Sequence, residues 1–527
     1  MQGLDCVLVH VPKWTNYYPP LHLYSSLHWM SHGLFGLADG LHQADHTCKI
    51  LHLGMERALD PSFSLAGYVN HHQVAAVGFS MHFHQQIADT IAAARELART
   101  CPDVFILLGG MSASYFSSEL LEKYPFIHAV ITGEGNQPLQ ALIAARKTHP
   151  DNLDAVPNLV WRKEGAVISN AAIYVSTQKD LDDVSHTNLS YLEHHEHYLN
   201  FPKAVLRTRL PHAFNFKLSQ KLQSEKRNFF GGLLVGRGCH DGCFYCGGGA
   251  EAQKRINHRT GVVFRSVDRV LASLRELKSY GFTGTHISFD PHPQSQSYYI
   301  ELFQKMRAEG LEFDLNFSAW GLPSRAFLEE FGRTFSARSS VSISPETGSE
   351  KLRLSSRDHH YTNAALMETL QTAEANNVNT TVFFSLGIPH ETREDFTQTL
   401  ALSRQIKKRF KRARVKAFVI EIEPAAPWHL HPEKFGIELI RKSLDDFITQ
   451  QSNPYYSSMR HLGFYKKDFL GEAVRDADDY ARRLLRLKCR YFCEERRVCP
   501  FLRAFWAVSR SVGISLRPET LTARKDA

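Results

Sequence analysis

The chain has 527 residues, with 62 Lys and Arg against 54 Asp and Glu, 28 His and nine Cys. At roughly 100–200 residues per domain there is room for two to four domains. A hydrophobic content of 43%, a charged content of 22%, 32 Gly and 22 Pro exclude collagen-like, coiled-coil and wholly disordered chains.

The first third alternates short apolar runs with helical patterns. Runs at 6–11, 49–53, 75–79, 104–108 and 129–132 predict buried strands. The clearest helix lies at 86–99, with Ile87, Ile91, Ala94 and Leu97 on one face. Alternation of this kind predicts a parallel sheet covered on both faces, of the flavodoxin-like doubly wound kind. Its ligand belongs beyond the carboxyl ends of the strands. Three of those ends carry distinctive loops: Ser80-Met81-His82, Gly109-Gly110-Met111 and Thr132-Gly133-Glu134-Gly135. Their glycines suit either tight turns or the close approach of a bulky ligand.

Residues 151–228 are less regular, with a His-rich stretch and a basic run, and read as a sub-element and linker. From 231 a second alternating series begins. Strands are predicted at 232–235, 285–289, 313–317, 340–344, 380–386 and 417–422, separated by helices. Six strands joined by helices can curl into a partial barrel with functional groups at the carboxyl rim. The strand ends offer Cys239, Asp290, Ser318, Glu346, Gly387 and Glu423. A helical, Arg- and aromatic-rich region at 436–527 closes the chain.

Cysteines are the most specific signal. Cys6, Cys48 and Cys101 are scattered, Cys489, Cys493 and Cys499 form a basic cluster, and Cys239, Cys243 and Cys246 form a tight knot. So few cysteines in so long a chain do not make a secreted disulfide scaffold. The knot has the spacing C-x3-C-x2-C and lies among Gly238, Gly242 and Gly247–Gly249, which let the chain wrap around one centre. A structural zinc site wants four ligands, and no fourth thiolate follows, although His240 and His258 are near in sequence. Iron–sulfur clusters ordinarily take four cysteines, so a cluster held by three keeps one iron open.

This motif, with an aromatic residue before its last cysteine, resembles that of the radical S-adenosylmethionine (SAM) enzymes. Ser344-Pro345-Glu346-Thr347-Gly348-Ser349-Glu350 is similar to the family's fourth-strand motif, and Gly387-Ile388-Pro389-His390 to the turn after its fifth strand. Pro19-Pro20-Leu21, Gly109-Gly110 and Gly133-Glu134-Gly135 resemble the cobalamin-binding domain that precedes the barrel in one subgroup. The resemblance implies that Cys239, Cys243 and Cys246 hold a 4Fe-4S cluster whose fourth iron chelates SAM. It places Tyr245 and Gly247 beside SAM, Glu346 and Arg357 at its polar part, and Asp290 and Ser318 as weaker contacts. Cobalamin would lie on Ser80, Met81, His82, Gly109, Gly110, Met111, Thr132, Gly133, Glu134 and Gly135. The D-x-H-x-x-G motif of histidine-ligated cobalamin is absent from the loop after the first strand, which reads Val11-Pro12-Lys13-Trp14-Thr15-Asn16-Tyr17-Tyr18.

Four segments are therefore expected: a cobalamin-binding domain (1–175), a linker and sub-element (176–228), a partial (β/α)6 radical SAM barrel (229–435) and a helical C-terminal domain (436–527). The implied activity is methyl transfer to an unactivated carbon or phosphorus centre of a small molecule, with cyclisation, rearrangement or oxidation as alternatives. An external electron donor such as flavodoxin or ferredoxin is implied as a partner. No apolar run reaches the about 18 residues of a membrane span, so a cytoplasmic enzyme is expected. A net charge of +8 is mild and reads as a solvated surface. An RNA-modifying enzyme would carry a β-rich appendage where 436–527 reads as helical, so nucleic acid is not expected as a partner.

Overall fold

The computed structural model describes residues 3–12, 22–23, 30–60, 62–199, 206–207, 228–357, 361–452 and 465–466. The N-terminal strands are β1 (Cys6–His10), β2 (Cys48–His52), β3 (Ala76–Ser80), β4 (Phe105–Gly109), β5 (Ala129–Ile131), β6 (Leu159–Lys163) and β7 (Ala166–Ser169). They form one sheet in the order β2-β1-β3-β4-β5-β6-β7. The first five pair in parallel in the doubly wound order expected, and β6 and β7 add an antiparallel hairpin. Every residue of β1 and β3 is buried, because helices cover both faces. One of these helices, Ile87–Thr100, buries Ile87, Ile91, Ala94 and Leu97, the stripe its sequence displays.

The hairpin is an addition to the predicted strands. Its turn, Glu164-Gly165, has positive φ at both residues, as a two-residue hairpin requires. Alternation in 159–163 is interrupted by Trp161, whose indole N–H bonds Asn170 at 3.0 Å, so the run carries no clean period of two.

The second sheet contains β8 (Phe229–Phe230), β11 (Gly284–Ile287), β12 (Asp314–Ala319), β13 (Ser340–Glu346), β14 (Asn379–Leu386) and β15 (Ala413–Val419), all parallel and in chain order. Two further strands, β9 (Gly236–Cys239) and β10 (Gly261–Phe264), make a separate antiparallel ribbon. This corrects two expectations. The first barrel strand pairs at 229–230 rather than 232–235, with only the Leu233 N–H reaching His286 O beyond it at 2.7 Å. The cysteine loop therefore leaves from the ribbon instead of directly from a barrel strand. Backbone pairing partners decide this, and both runs are equally apolar in sequence.

Helices Ser295–Ala308, Arg325–Thr334, Asn363–Ala375 and Arg393–Arg409 pack outside the barrel. The apolar core is continuous from the first sheet to this layer, running from Cys6 and Leu8 to Phe303, Phe317 and Ile406. The C-terminal cysteines Cys489, Cys493 and Cys499, and Pro19-Pro20-Leu21, lie outside the described residues. No helix among the described residues is long and apolar enough to cross a membrane.

Candidate functional site

Residues 239–249 form a loop at the mouth of the barrel. The Asp241 N–H donates to Cys239 Sγ at 3.3 Å, and the Gly248 N–H to Cys246 Sγ at 3.3 Å. The Cys246 N–H closes a turn on Cys243 O at 3.1 Å. Cys239 is buried, whereas Cys243 and Cys246 are half-buried. Burial pushes the Cys239 thiol up to about 12, with the charge of Asp241 and of Cys243 adding to it. Cys246 is raised by burial, by Glu423 and by both other cysteines, so the three sulfurs share one electrostatic neighbourhood. Bound iron reverses that cost, because a coordinating thiol is deprotonated outright. Among the described residues no group of His, Cys, Asp or Glu is arranged to hold a single metal ion. A four-iron cluster puts each thiolate on a different iron and spaces them more widely, so the donor set and its N–H···S bonds fit the cluster.

The loop is anchored to the far edge of the barrel. The Gly247 N–H donates to Glu423 Oε2 at 2.7 Å, the Glu423 N–H to Tyr245 O at 3.1 Å, and the Trp428 N–H to Phe244 O at 2.9 Å. A Cβ at Gly247 would stand 2.4 Å from Pro424 O, closer than real contacts come. Gly247→Ala is thus expected to displace the loop and lower the iron bound after reconstitution, measured by iron quantification against the wild-type chain.

Beside the cysteines, β13 ends in an irregular turn. Its register shifts between Ile343 and Glu346, and Glu346 takes φ +63°, a region a non-glycine residue adopts at some cost. That twist aims the Glu346 carboxylate at the Tyr245 hydroxyl, which donates to it at 2.8 Å, and at the Ser385 hydroxyl. Arg357 stands 3.6 Å from Glu346 and donates to Ser344 O at 2.5 Å and Trp320 O at 2.7 Å. Burial opposes its charge, but Tyr245, Cys243 and Glu346 hold it protonated. The result is a buried cation beside the three thiols, with a carboxylate and a phenol alongside. Tyr245, Glu346 and Arg357 thus meet beside the cysteine loop.

The weaker candidates lie differently. Asp290 is fully buried; it accepts from the Ser295 hydroxyl and from the Trp320 N–H at 3.0 Å, and burial raises it to about 6. Ser318 lies within β12, facing the lumen, 3.4 Å from His286 Nε2. Sequence reading missed Arg353. Fully buried, it donates to Pro345 O at 3.0 Å and Thr347 O at 2.7 Å, bracing the turn that carries Glu346. One arginine among the charged residues that follow β13 gives no local sign of such a role.

The three loops of the first sheet are braced together at its carboxyl edge. The Met81 N–H donates to Gly109 O at 2.8 Å, and the Ser112 hydroxyl to His82 O at 3.1 Å. The Ser114 hydroxyl accepts from the Gly133 N–H at 3.0 Å. Ser80 and Met81 are buried, but His82, Gly109, Gly110, Met111, Thr132, Gly133 and Gly135 are half-buried. Burial lowers His82 to about 4, so it stays neutral at ordinary pH. Half-buried loops at the carboxyl ends of doubly wound strands stand where such sheets bind their ligands, which suits a large cofactor.

Glu134 takes a different part from its neighbours. It is 5% exposed and pairs with Arg259 at 2.5 and 2.9 Å, with Arg237 at 3.3 Å and with the Ser176 N–H at 2.9 Å. Arg237 belongs to β9 and Arg259 to the segment before β10, so the carboxylate clamps the first sheet to the cysteine ribbon. A second tie joins Gln85 Nε2 to Glu421 Oε2 at 3.1 Å, with His84 Nε2 at 3.6 Å. A third joins Tyr115 to His429 at 3.2 Å. These ties join the carboxyl edge of the first sheet to the cysteine ribbon and to the segment after the last barrel strand.

The family model of the radical SAM superfamily matches residues 233–403, and that of the B12 binding domain residues 24–143. No curated protein matches the chain. Among solved structures it is similar to the radical S-adenosylmethionine methyltransferase TsrM from Kitasatospora setae, with cobalamin and a 4Fe-4S cluster bound. Identity is 16% and the TM-score 0.60, over 81% of this chain and 74% of that one. It is also similar to the cobalamin-dependent S-adenosylmethionine radical enzyme OxsB with aqua-cobalamin bound, at 15% identity and TM-score 0.59, over 88% of this chain and 64% of that one. Fold and matches define a B12-binding domain joined to a radical SAM domain. The chain thus carries a radical SAM domain and a B12-binding domain, whose cofactors are a 4Fe-4S cluster, SAM and cobalamin.

Proposed function

We propose that this enzyme is a cobalamin-dependent radical SAM methyltransferase acting on an unactivated carbon or phosphorus centre of a small molecule. The observation that carries the reading is the cysteine loop with Tyr245, Glu346 and Arg357 beside it, tied through Glu134, Arg237 and Arg259 to the first sheet that bears loops 80–82, 109–111 and 132–135. Two solved structures of similar fold, one of them a radical SAM methyltransferase, support it.

In this reading Cys239, Cys243 and Cys246 hold the cluster. Arg357 neutralises the SAM carboxylate, and Glu346 receives its ammonium group. Tyr245 and Gly247 would line the adenosine side, and the loops at 80–82, 109–111 and 132–135 would hold the corrin. The cofactors supply the radical and the methyl group; the chain orients them and excludes water. Glu346 is held in one rotamer by the Tyr245 and Ser385 hydroxyls, which fixes the SAM amino group. Cys243 and Cys246, half-buried, leave one side of the cluster within reach of a one-electron donor such as flavodoxin or ferredoxin.

Arg357→Gln is expected to weaken SAM binding at least about tenfold while the cluster spectrum persists, read by equilibrium binding. The reaction itself is tested with anaerobically reconstituted full-length chain, reductant, SAM and cobalamin. Methylated product together with S-adenosylhomocysteine supports methyl transfer. A product of unchanged carbon count would instead mean cyclisation, rearrangement or oxidation.

A further inference from the structure

The barrel lumen is polar and contains cations. Along β12 to β15 one face is apolar: Phe317, Val341, Val382 and Phe384 are at most 2% exposed and pack on the outer helices. The other face, which lines the lumen, follows the strand register. Ser318 pairs with Ser342, Ser342 with Thr381, and Thr381 with Arg414. Paired residues of parallel strands point the same way, so three hydroxyls and a guanidinium share one row. The next such pair on β14 and β15 is Phe383 with Lys416, whose ammonium lies 5.6 Å from the Phe383 ring centre. Bulky branched residues fill the interior of closed (β/α)8 barrels. Here Ser318, Ser342, Thr381 and Phe383 are half-buried, and Arg414 and Lys416 are exposed. Arg414 has no ion-pair partner among the described residues.

A packing role does not account for two cations on the lumen face of an edge strand. Solvation alone would not require them to join a row of hydroxyls. We propose that the substrate carries an anionic group, a carboxylate or a phosphate, held in the lumen by Arg414 and Lys416 with the hydroxyl of Thr381, the neighbour of Arg414 in the row. The inference rests on reading the lumen as the substrate chamber and names the substrate class for it. A fixed anchor at the lumen wall would present the rest of the molecule to the cysteine loop at the barrel mouth.

The test uses the full chain, anaerobically reconstituted, with inorganic phosphate and acetate as separate probes in equilibrium titrations. Saturable binding of at least one probe is expected, weakened about tenfold in Arg414→Gln and in Lys416→Gln, and retained in Lys416→Arg. Iron content and thermal unfolding of each variant report whether it has folded. The inference falls if neither anion saturates the wild-type chain, or if folded Gln variants bind as the wild type does. If the chain binds an anion through these residues but does not cleave SAM, the proposed function fails and this inference stands. If it cleaves SAM but binds neither anion, the reverse holds.

Discussion

Cys239→Ala is expected to bring the iron of the reconstituted chain from about four atoms to near none and to abolish reductive SAM cleavage. Three thiols are the minimum for a cluster that keeps one iron free, so removing one leaves two irons without protein ligands. Cys239 is also the least solvent-exposed residue of the three, and its Sγ accepts from the Asp241 N–H, which disposes the start of the loop. Iron quantification and the visible spectrum of the cluster check the result. The control is Cys101→Ala: Cys101 is buried in the first domain, with Sγ 3.3 Å from Asn70 Oδ1, and its loss should leave the iron unchanged. Retention of full iron by Cys239→Ala would remove it from the ligand set. The same measurement bears on Cys489, Cys493 and Cys499, since about eight irons in the wild-type chain would mean a second cluster and about four would not.

Glu134→Gln is expected to destabilise the fold by about 3–5 kcal/mol, because it leaves the Arg259 charge buried without its partner. Both residues are nearly inaccessible, so solvent screening relieves little of that cost. Arg259→Met should cost a similar amount, and the double variant should recover part of it, a coupling that chemical denaturation can resolve. The pH dependence follows in sign. Burial pushes the Glu134 carboxyl up, but Arg259, Arg237 and Ser176 outweigh it and hold the group below its usual value. A depressed folded-state pKa means that the clamp is fully stabilising above the unfolded value of about 4.3. It is lost as the pH falls from there through the folded value. Unfolding midpoints measured from neutral to acid pH should show this slope in the wild type and a shallower one in Glu134→Gln.

Much of the architecture was legible because period and spacing are local properties. The stripe of Ile87, Ile91, Ala94 and Leu97 specifies a helix whatever it packs against. The five parallel strands of the first sheet are apolar runs, since strands covered on both faces have no polar side to show. C-x3-C-x2-C is equally local: three thiols within eight residues are near one another through chain geometry alone.

Contacts between distant segments were not legible. Glu134 stood in a loop that the sequence assigned to cobalamin, yet its carboxylate meets Arg259, 125 residues away. Arg353, Glu421 and Gln85 carried no local sign of what they hold. The first barrel strand shifted for the same reason, because an apolar run does not name its partner, and the register with β11 placed the pairing at Phe229–Phe230.

The chain's order of residues was enough to specify two sheet domains and a three-thiolate loop, because each of these depends on neighbours within a few turns of backbone. Folding in three dimensions assigned the Glu134 clamp, the turn at Glu346, and the row that sets Arg414 beside Thr381, Ser342 and Ser318. Buried charge must be paired and register is set between strands, so neither property belongs to any one stretch of sequence.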